Sequence, residues 1–231
     1  MRILALTYTP IIIDSNIYEE AIQHYSETKP FHDGSIRPTP SFDKELQGIS
    51  SMCRKDKLVN QVAKGDILLY FTNVRNYECE KYNGFDESHS RLTAILKVEK
   101  VFKEKYTDSK HPHQEADEYY TSKGITSPNN CLMGEDIAPR KKGCGIIGSK
   151  QTYESTRKGY NKRVEECKTY VVTRFIYSNF TTPVPLFKTD FERIWNKKLK
   201  KRTPFNQVYI KLTNFQYEGI LEHLRSFGER V

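Results

Sequence analysis

Four stretches of the chain carry the hydrophobic signal of strands. Arg2 to Thr9 (RILALTYT) puts Ile3, Ala5 and Thr7 on one side and Leu4, Leu6 and Tyr8 on the other. Both sides are largely apolar, which predicts a central strand covered on both faces; Pro10, with no N–H to donate to a ladder, ends it. The turn signal Lys64-Gly65-Asp66 delivers the unbroken apolar run Ile67 to Val74. Arg91 to Phe102 follows, with Leu92, Ala94, Leu96 and Val98 on one side and Lys97 and Glu99 on the other. The polar stretch 75–90 between these two runs makes them an antiparallel pair joined by a long excursion. Thr169 to Ser178 (TYVVTRFIYS) is the fourth, rich in the β-branched and aromatic residues that suit a pleated, half-buried surface.

Weaker patterns fill the intervals. Asp14 or Ser15 caps a helix expected to run to about Tyr25, with Ile17, Ala21 and His24 on one face. Residues 29–41, with three prolines and a glycine, form a loop. Phe42 to Val62 is expected to be helical in pieces, from the spacing of Leu46, Ile49 and Met52 before Leu58 and Val62. From 103 to about 165 the chain is polar and loop-rich, with one helix around Glu115 to Thr121. Pro183 to Phe187 reads as an extended edge, Asp190 to Leu199 as a short helix carrying Trp195, and Gln207 to Thr213 as a last strand. A closing helix from Tyr217 to Phe227 turns Ile220, Leu221, Leu224 and Phe227 inward and stops at Gly228. There are no internal repeats, and the whole predicts one α+β domain over 1–231.

Composition narrows the class. Twelve Phe and 15 Tyr supply enough buriable surface for an ordered core. No run approaches the roughly 18 to 20 apolar residues that cross a bilayer, and the N-terminal run is too short for a secretory signal, so a cytoplasmic location and no membrane partner are expected. Five cysteines without a C-x-x-C pair argue against both a disulfide framework and a zinc site.

Charge points to a partner. The net charge of +8 is concentrated: residues 139–202 hold 17 Lys or Arg against 5 Asp or Glu, whereas the rest of the chain holds 20 against 24. A concentrated positive face attracts phosphate backbones by releasing their counterions, an affinity that carries no sequence information. The candidate cations are Lys141, Lys142, Lys150, Arg174, Lys197 and Lys198, with Trp195 among them.

Catalytic motifs are absent. The chain has no nucleophile elbow, no H-E-x-x-H, no dinucleotide fingerprint and no deaminase-type H-x-E with a cysteine pair. His111 and His113 read as loop histidines, and Cys131 has no visible base partner. The glycines of KKGCGIIGSK (141–150) bring amides near lysines but lack P-loop spacing. No metal and no cofactor is therefore expected. A base-reading pocket needs less: flat rings to stack a splayed base and amides or hydroxyls to pair with its edge. Tyr8, Thr9, Phe71, Thr72, Asn73, Asn129, Asn130 and Cys131 fall at strand ends or in loops beside them, as do Tyr177, Asn179 and Phe180. Ordinary core packing competes for each of these aromatics.

The order of segments resembles a known group. A first strand ending in an aromatic and a threonine, then KGDILLYF, then RLTAILKVEKVF, is similar to the PUA-like superfamily, which includes the EVE, ASCH and YTH domains. Further along, EADEYY (115–120), the PNNCL loop and the strand from Arg174 to the prolines ending at Pro185 resemble the nucleotide-modification-associated domains of that superfamily. The resemblance implies a small, mixed, mostly antiparallel β-barrel with flanking helices and long loops, and a link to nucleic acid or modified nucleotides. Three functions remain open: a module that reads a nucleobase, including a modified one; an enzyme of nucleotide or DNA base modification using Cys131, Asp136 or a tyrosine; and a module that meets an acidic protein.

Overall fold

A clamp at the start of the first strand organises the sheet. Asp66, nearly buried after the Lys64-Gly65 turn, accepts the Arg2 N–H at 2.8 Å on Oδ1, and Arg2 Nε at 3.0 Å and the Ala63 N–H at 2.9 Å on Oδ2. Burial alone would raise the Asp66 pKa, but the Arg2 and Ala63 hydrogen bonds outweigh it and hold the carboxyl below its ordinary value. Gly65 takes φ +88°, a left-handed conformation that suits glycine and lets the turn close. The clamp aligns β1 (Ile3–Tyr8) parallel to β3 (Ile67–Thr72), with Ile3 opposite Ile67 and Tyr8 opposite Thr72.

The computed structural model describes residues 1–13, 18–19, 29–32, 46–50, 56–75, 87–104, 111–125, 168–205 and 209–231. The other strands are β2 (Leu46–Ser50), β4 (Ser90–Lys103), β5 (Thr169–Ser178), β6 (Val184–Leu186) and β7 (Tyr209–Leu212). They form one mixed sheet in the order β2-β5-β4-β3-β1-β7, with β6 also on β4. The helices are α1 (Asp56–Val59), α2 (Pro112–Ser122), α3 (Lys188–Trp195) and α4 (Asn214–Ser226).

β3 and β4 pair antiparallel across the excursion, as their sequences predict. The long β4 serves two strands on its far side: Ala94 to Lys103 pair with β5, and Ser90 to Leu92 with β6. β5 and β6 are thus one path along β4, interrupted at 179–183. Asn179 shapes the interruption. Its backbone N–H still donates to Thr93 O at 2.9 Å, its Oδ1 accepts the Thr182 N–H at 2.9 Å, and its Nδ2 donates to Glu229 Oε1 at 2.8 Å.

The sheet is open, not the closed barrel expected. Among the described residues nothing pairs β2 with β7, the two ends of the order. Its strands are apolar on both sides because helices cover both faces, and that layered arrangement produces the same sequence signal. On one face Ile3, Ala5, Leu69, Phe71, Ile95 and Leu212 pack beneath Phe191 and Ile194 of α3 and Ile220 and Leu224 of α4. Register places Phe102, Tyr170 and Val172 on that same face under Ala116 and Tyr120 of α2. Opposite, Leu4, Leu6, Tyr8, Leu68, Tyr70, Leu96 and Val98 pack against Leu58 and Val59 of α1 and Val62.

Capping explains the helix boundaries. His111 accepts the His113 N–H while Gln114 reaches back to the His111 N–H, with Pro112 opening α2. Thr213 and Gln216 make the same reciprocal pair at α4. Gly219 lets α3 and α4 approach, since a Cβ there would stand 3.2 Å from Ile194 Cγ2.

Two further expectations are corrected. Part of 42–62 is the strand β2, held antiparallel on β5, with only the one-turn α1 after it; pairing with a buried neighbour overrides a loose helical spacing. Phe227 is 52% exposed rather than buried, because α4 has ended at Ser226 before its ring can reach the core. Most of the helix expected over 14–25 and most of the loop region from 105 to 167 lie outside the described residues.

Candidate nucleic-acid interface

The ends of β1 and β3 hold a closed polar cluster. Tyr8 is buried on one face of the sheet, and its hydroxyl donates to the Phe31 carbonyl and stands 2.9 Å from Thr93 Oγ1. Thr93 Oγ1 in turn donates to Tyr70 O at 3.0 Å. Thr72 is wholly buried; its Oγ1 accepts the Arg91 N–H at 2.9 Å and its carbonyl accepts Ser90 Oγ. The Arg91 side chain, in a residue only 5% exposed, donates from Nε to His89 Nε2 at 3.0 Å and from Nη1 to Pro183 O at 3.0 Å, and its guanidinium lies 5.2 Å from the Phe31 ring centre. With Nε2 accepting, the His89 proton sits on Nδ1, facing Glu87 O at 2.8 Å.

Burial lowers the pKa of His89 and of His32, which follows Phe31 in the chain and meets the Phe180 ring at 4.9 Å. It holds the His32 pKa down to about 3, with the Lys29 charge adding to it. His89 is lowered chiefly by burial and secondarily by Arg91, against the opposing Glu87 carbonyl and carboxylate. Thr9 is exposed here and Asn73 half-buried, and the Asn73 Nδ2 donates to Thr9 Oγ1 at 2.9 Å.

Phe71 faces the other way. It is wholly buried among Phe191 and Phe205, with ring centres 6.1 and 5.0 Å away. Tyr8 and Phe71 therefore point to opposite faces and do not converge on one stacking pocket. Tyr177 is a core residue, and Arg174 lies by β2 in an ion pair with Glu99 at 3.2 Å. Asn129, Asn130, Cys131, Lys141, Lys142 and Lys150 lie outside the described residues.

The open site lies at the β7 edge of the sheet. A cleft of about 610 Å³ runs between the segment after α3, the terminal strand β7 and the start of α4. Its apolar lining comes from Trp195, Leu199, Pro204 and Ile210, and its cations are Lys197, Lys198, Lys200, Lys201 and Lys211. No acidic side chain is among its described lining residues.

Local chemistry builds this segment. Asn196 adopts a left-handed conformation at φ 49°, where asparagine is tolerated, and its N–H bonds Arg193 O while the Lys197 N–H bonds Glu192 O. The chain is thereby turned sharply off the helix. Glu192 then accepts the Leu199 N–H at 2.9 Å and Lys198 Nζ at 3.3 Å. The Leu199 N–H chiefly, with Lys198 and Lys188 adding to it, lowers its pKa against the opposing effect of desolvation. At the far end Phe205 wedges between Phe71 and Phe191, so the lysine segment is pinned on both sides. Positive charge just beyond a helix C-terminus is also favoured by the helix dipole.

Trp195, Lys197 and Lys198 of the predicted set are thus brought together. Lys211 escaped the sequence reading; the available signal was a lysine inside the apolar strand QVYIKLT, a common mark of a sheet edge. The buried Arg91 and His89 carried no distinguishing signal. Among the described residues no group of His, Cys, Asp and Glu is placed to hold a metal, and no helix is long and apolar enough to cross a membrane.

Comparison with known proteins adds little. No family model matches the chain, and no curated protein matches it. Crystal structures of two mutant forms of ZmASCH from Zymomonas mobilis align over 95% and 96% of this chain and 94% and 98% of theirs, at 8% identity and TM-scores of 0.35 and 0.34. So loose an overlap assigns neither family nor function to this chain.

Proposed function

We propose that the protein is a nucleic-acid-binding module whose lysine-lined cleft takes the phosphate backbone. The observation that carries this reading is the cleft itself, where five lysines converge on one recess with no carboxylate among its described lining residues. Like charges gathered on a pinned segment repel one another, and a polyanion relieves that repulsion while releasing its own counterions. The sequence resemblance to the PUA-like superfamily, with its RNA and modified-base binders, points the same way. Trp195, at the apolar side of the cleft, offers a ring to a base.

The test is the salt dependence of binding to a labelled oligonucleotide of mixed sequence. The quadruple variant Lys197→Ala, Lys198→Ala, Lys200→Ala and Lys201→Ala is expected to reduce the slope of log K against log salt by about 3, if each lysine neutralises one phosphate. Its melting temperature should stay near the parent's, because exposed charges contribute little to stability. A complex indifferent to salt, or a slope unchanged in the variant, overturns the proposal.

A further inference from the structure

We infer that the cleft takes a single strand rather than a duplex; this rests on the nucleic-acid reading above and goes one step past it. Shape is the first argument. Duplex readers push a protruding helix or ribbon into a groove about 12 Å wide, so the protein supplies the convex surface. Here the protein is concave. The recess of about 610 Å³ falls in the range of roughly 300 to 1,000 Å³ typical of pockets that enclose small ligands, which suits a few nucleotides of unpaired strand and not a paired helix.

The lining is the second argument. Phosphates alone would need only the lysines, yet Trp195, Leu199, Pro204 and Ile210 give the recess an apolar side. A base pair hides its ring faces in the stack, whereas an unpaired base exposes them and gains by covering them on an aromatic ring. Trp195 is held for that role: its ring meets Phe191 edge-on at 5.7 Å and 72°, anchored to the core while lining the cleft. The edge position of β7 is the third. Among the described residues β7 ends the sheet, and its Ile210 and Lys211 line the cleft, so a strand lying there would run along a sheet edge.

Trp195 is the chain's one tryptophan, so emission excited at the red edge, where the 15 tyrosines do not absorb, reports this site. The experiment titrates the whole protein with short oligothymidylate, with a mixed-sequence duplex of equal length, and with polyglutamate, following both tryptophan emission and the anisotropy of labelled nucleic acid. The expected result is a change in emission with the single strand and a preference over duplex of at least about tenfold, the order that one stacked base supplies. Lys211→Ala should weaken the single-strand complex without altering the melting temperature. Equal or tighter duplex binding, or binding that leaves emission unmoved, overturns the single-strand inference and leaves the nucleic-acid reading standing. Absence of binding by either nucleic acid overturns both, and an emission change with polyglutamate alone would then assign the cleft to an acidic peptide.

Discussion

The strand-end cluster and the lysine cleft contain similar ingredients put to opposite uses. Around Tyr8, Thr72, Thr93, His89 and Arg91, rings, hydroxyls and a guanidinium satisfy one another in the interior. Around Trp195, cations gather at the surface with little to balance them, and Lys198, though paired with Glu192, keeps 94% of its side chain exposed. Buried polar groups must be bonded, and the bonds these groups make to one another leave them less available to a ligand. Exposed like charges are under no such demand, and their clustering leaves a field that a partner can use. Residue type therefore does not separate the two regions; how far each polar group is already satisfied does.

The sharpest way to break the contrast is to hollow out the core beneath the cleft. Phe71→Ala should cost about 3 to 5 kcal/mol in urea unfolding, the usual penalty for emptying a fully buried aromatic site. Because Phe71 abuts both Phe191 and Phe205, the emission of Trp195 should shift in the folded variant as well. A loss under about 1 kcal/mol would mean that Phe71 is not the core residue described.

Next in size is acid sensitivity, which tests the closed cluster. His32 has a folded pKa of about 3 against an ordinary 6.5, so the unfolded chain takes up its proton first. Its contribution is fully present above pH 6.5 and is lost as pH falls toward 3, by about 2 kcal/mol at pH 5. His89, also lowered, acts in the same direction. His32→Gln, which cannot titrate, should flatten the fall of the urea midpoint between pH 7 and 5; an unchanged slope would show that His32 titrates normally and is not enclosed.

The smallest effect sharpens the open site. Glu192→Gln keeps an oxygen for the Leu199 N–H but removes a negative charge beside Lys198 and Lys188. The melting temperature should stay near the parent's, while affinity for oligonucleotide rises about two- to threefold at low salt. Weaker binding would mean that the carboxylate, by ordering the segment, matters more than the charge it cancels.

Much of the fold was legible in the chain. β1, β3, β4 and β5 announce themselves because their apolar residues are contiguous or alternate cleanly. The bodies of α2 and α4 were legible from Glu115 and Tyr217 on, but not their starts, where H-P-H-Q and T-N-F-Q supply the caps. His111 and His113 prove to be the cap and first turn of α2 rather than loop residues. β2 was not legible, since LQGIS has no strand pattern until Val171 and Val172 of β5 lie beside it. The same limit applies to the site. Lys197, Lys198 and Trp195 stand out as a local run, whereas Lys211 becomes relevant only once β7 lies along β1, and Tyr8 and Phe71 look alike until their faces are known.

Local order along the chain was enough to specify an α+β protein with a positive segment near its C-terminal third, because periodicity, capping and charge act between near neighbours. Whether the strands close or lie open, which rings are consumed by the core, and which lysines share a recess depend on contacts between residues far apart in sequence. Those contacts are set by how whole faces bury one another, and no short window of residues contains that information.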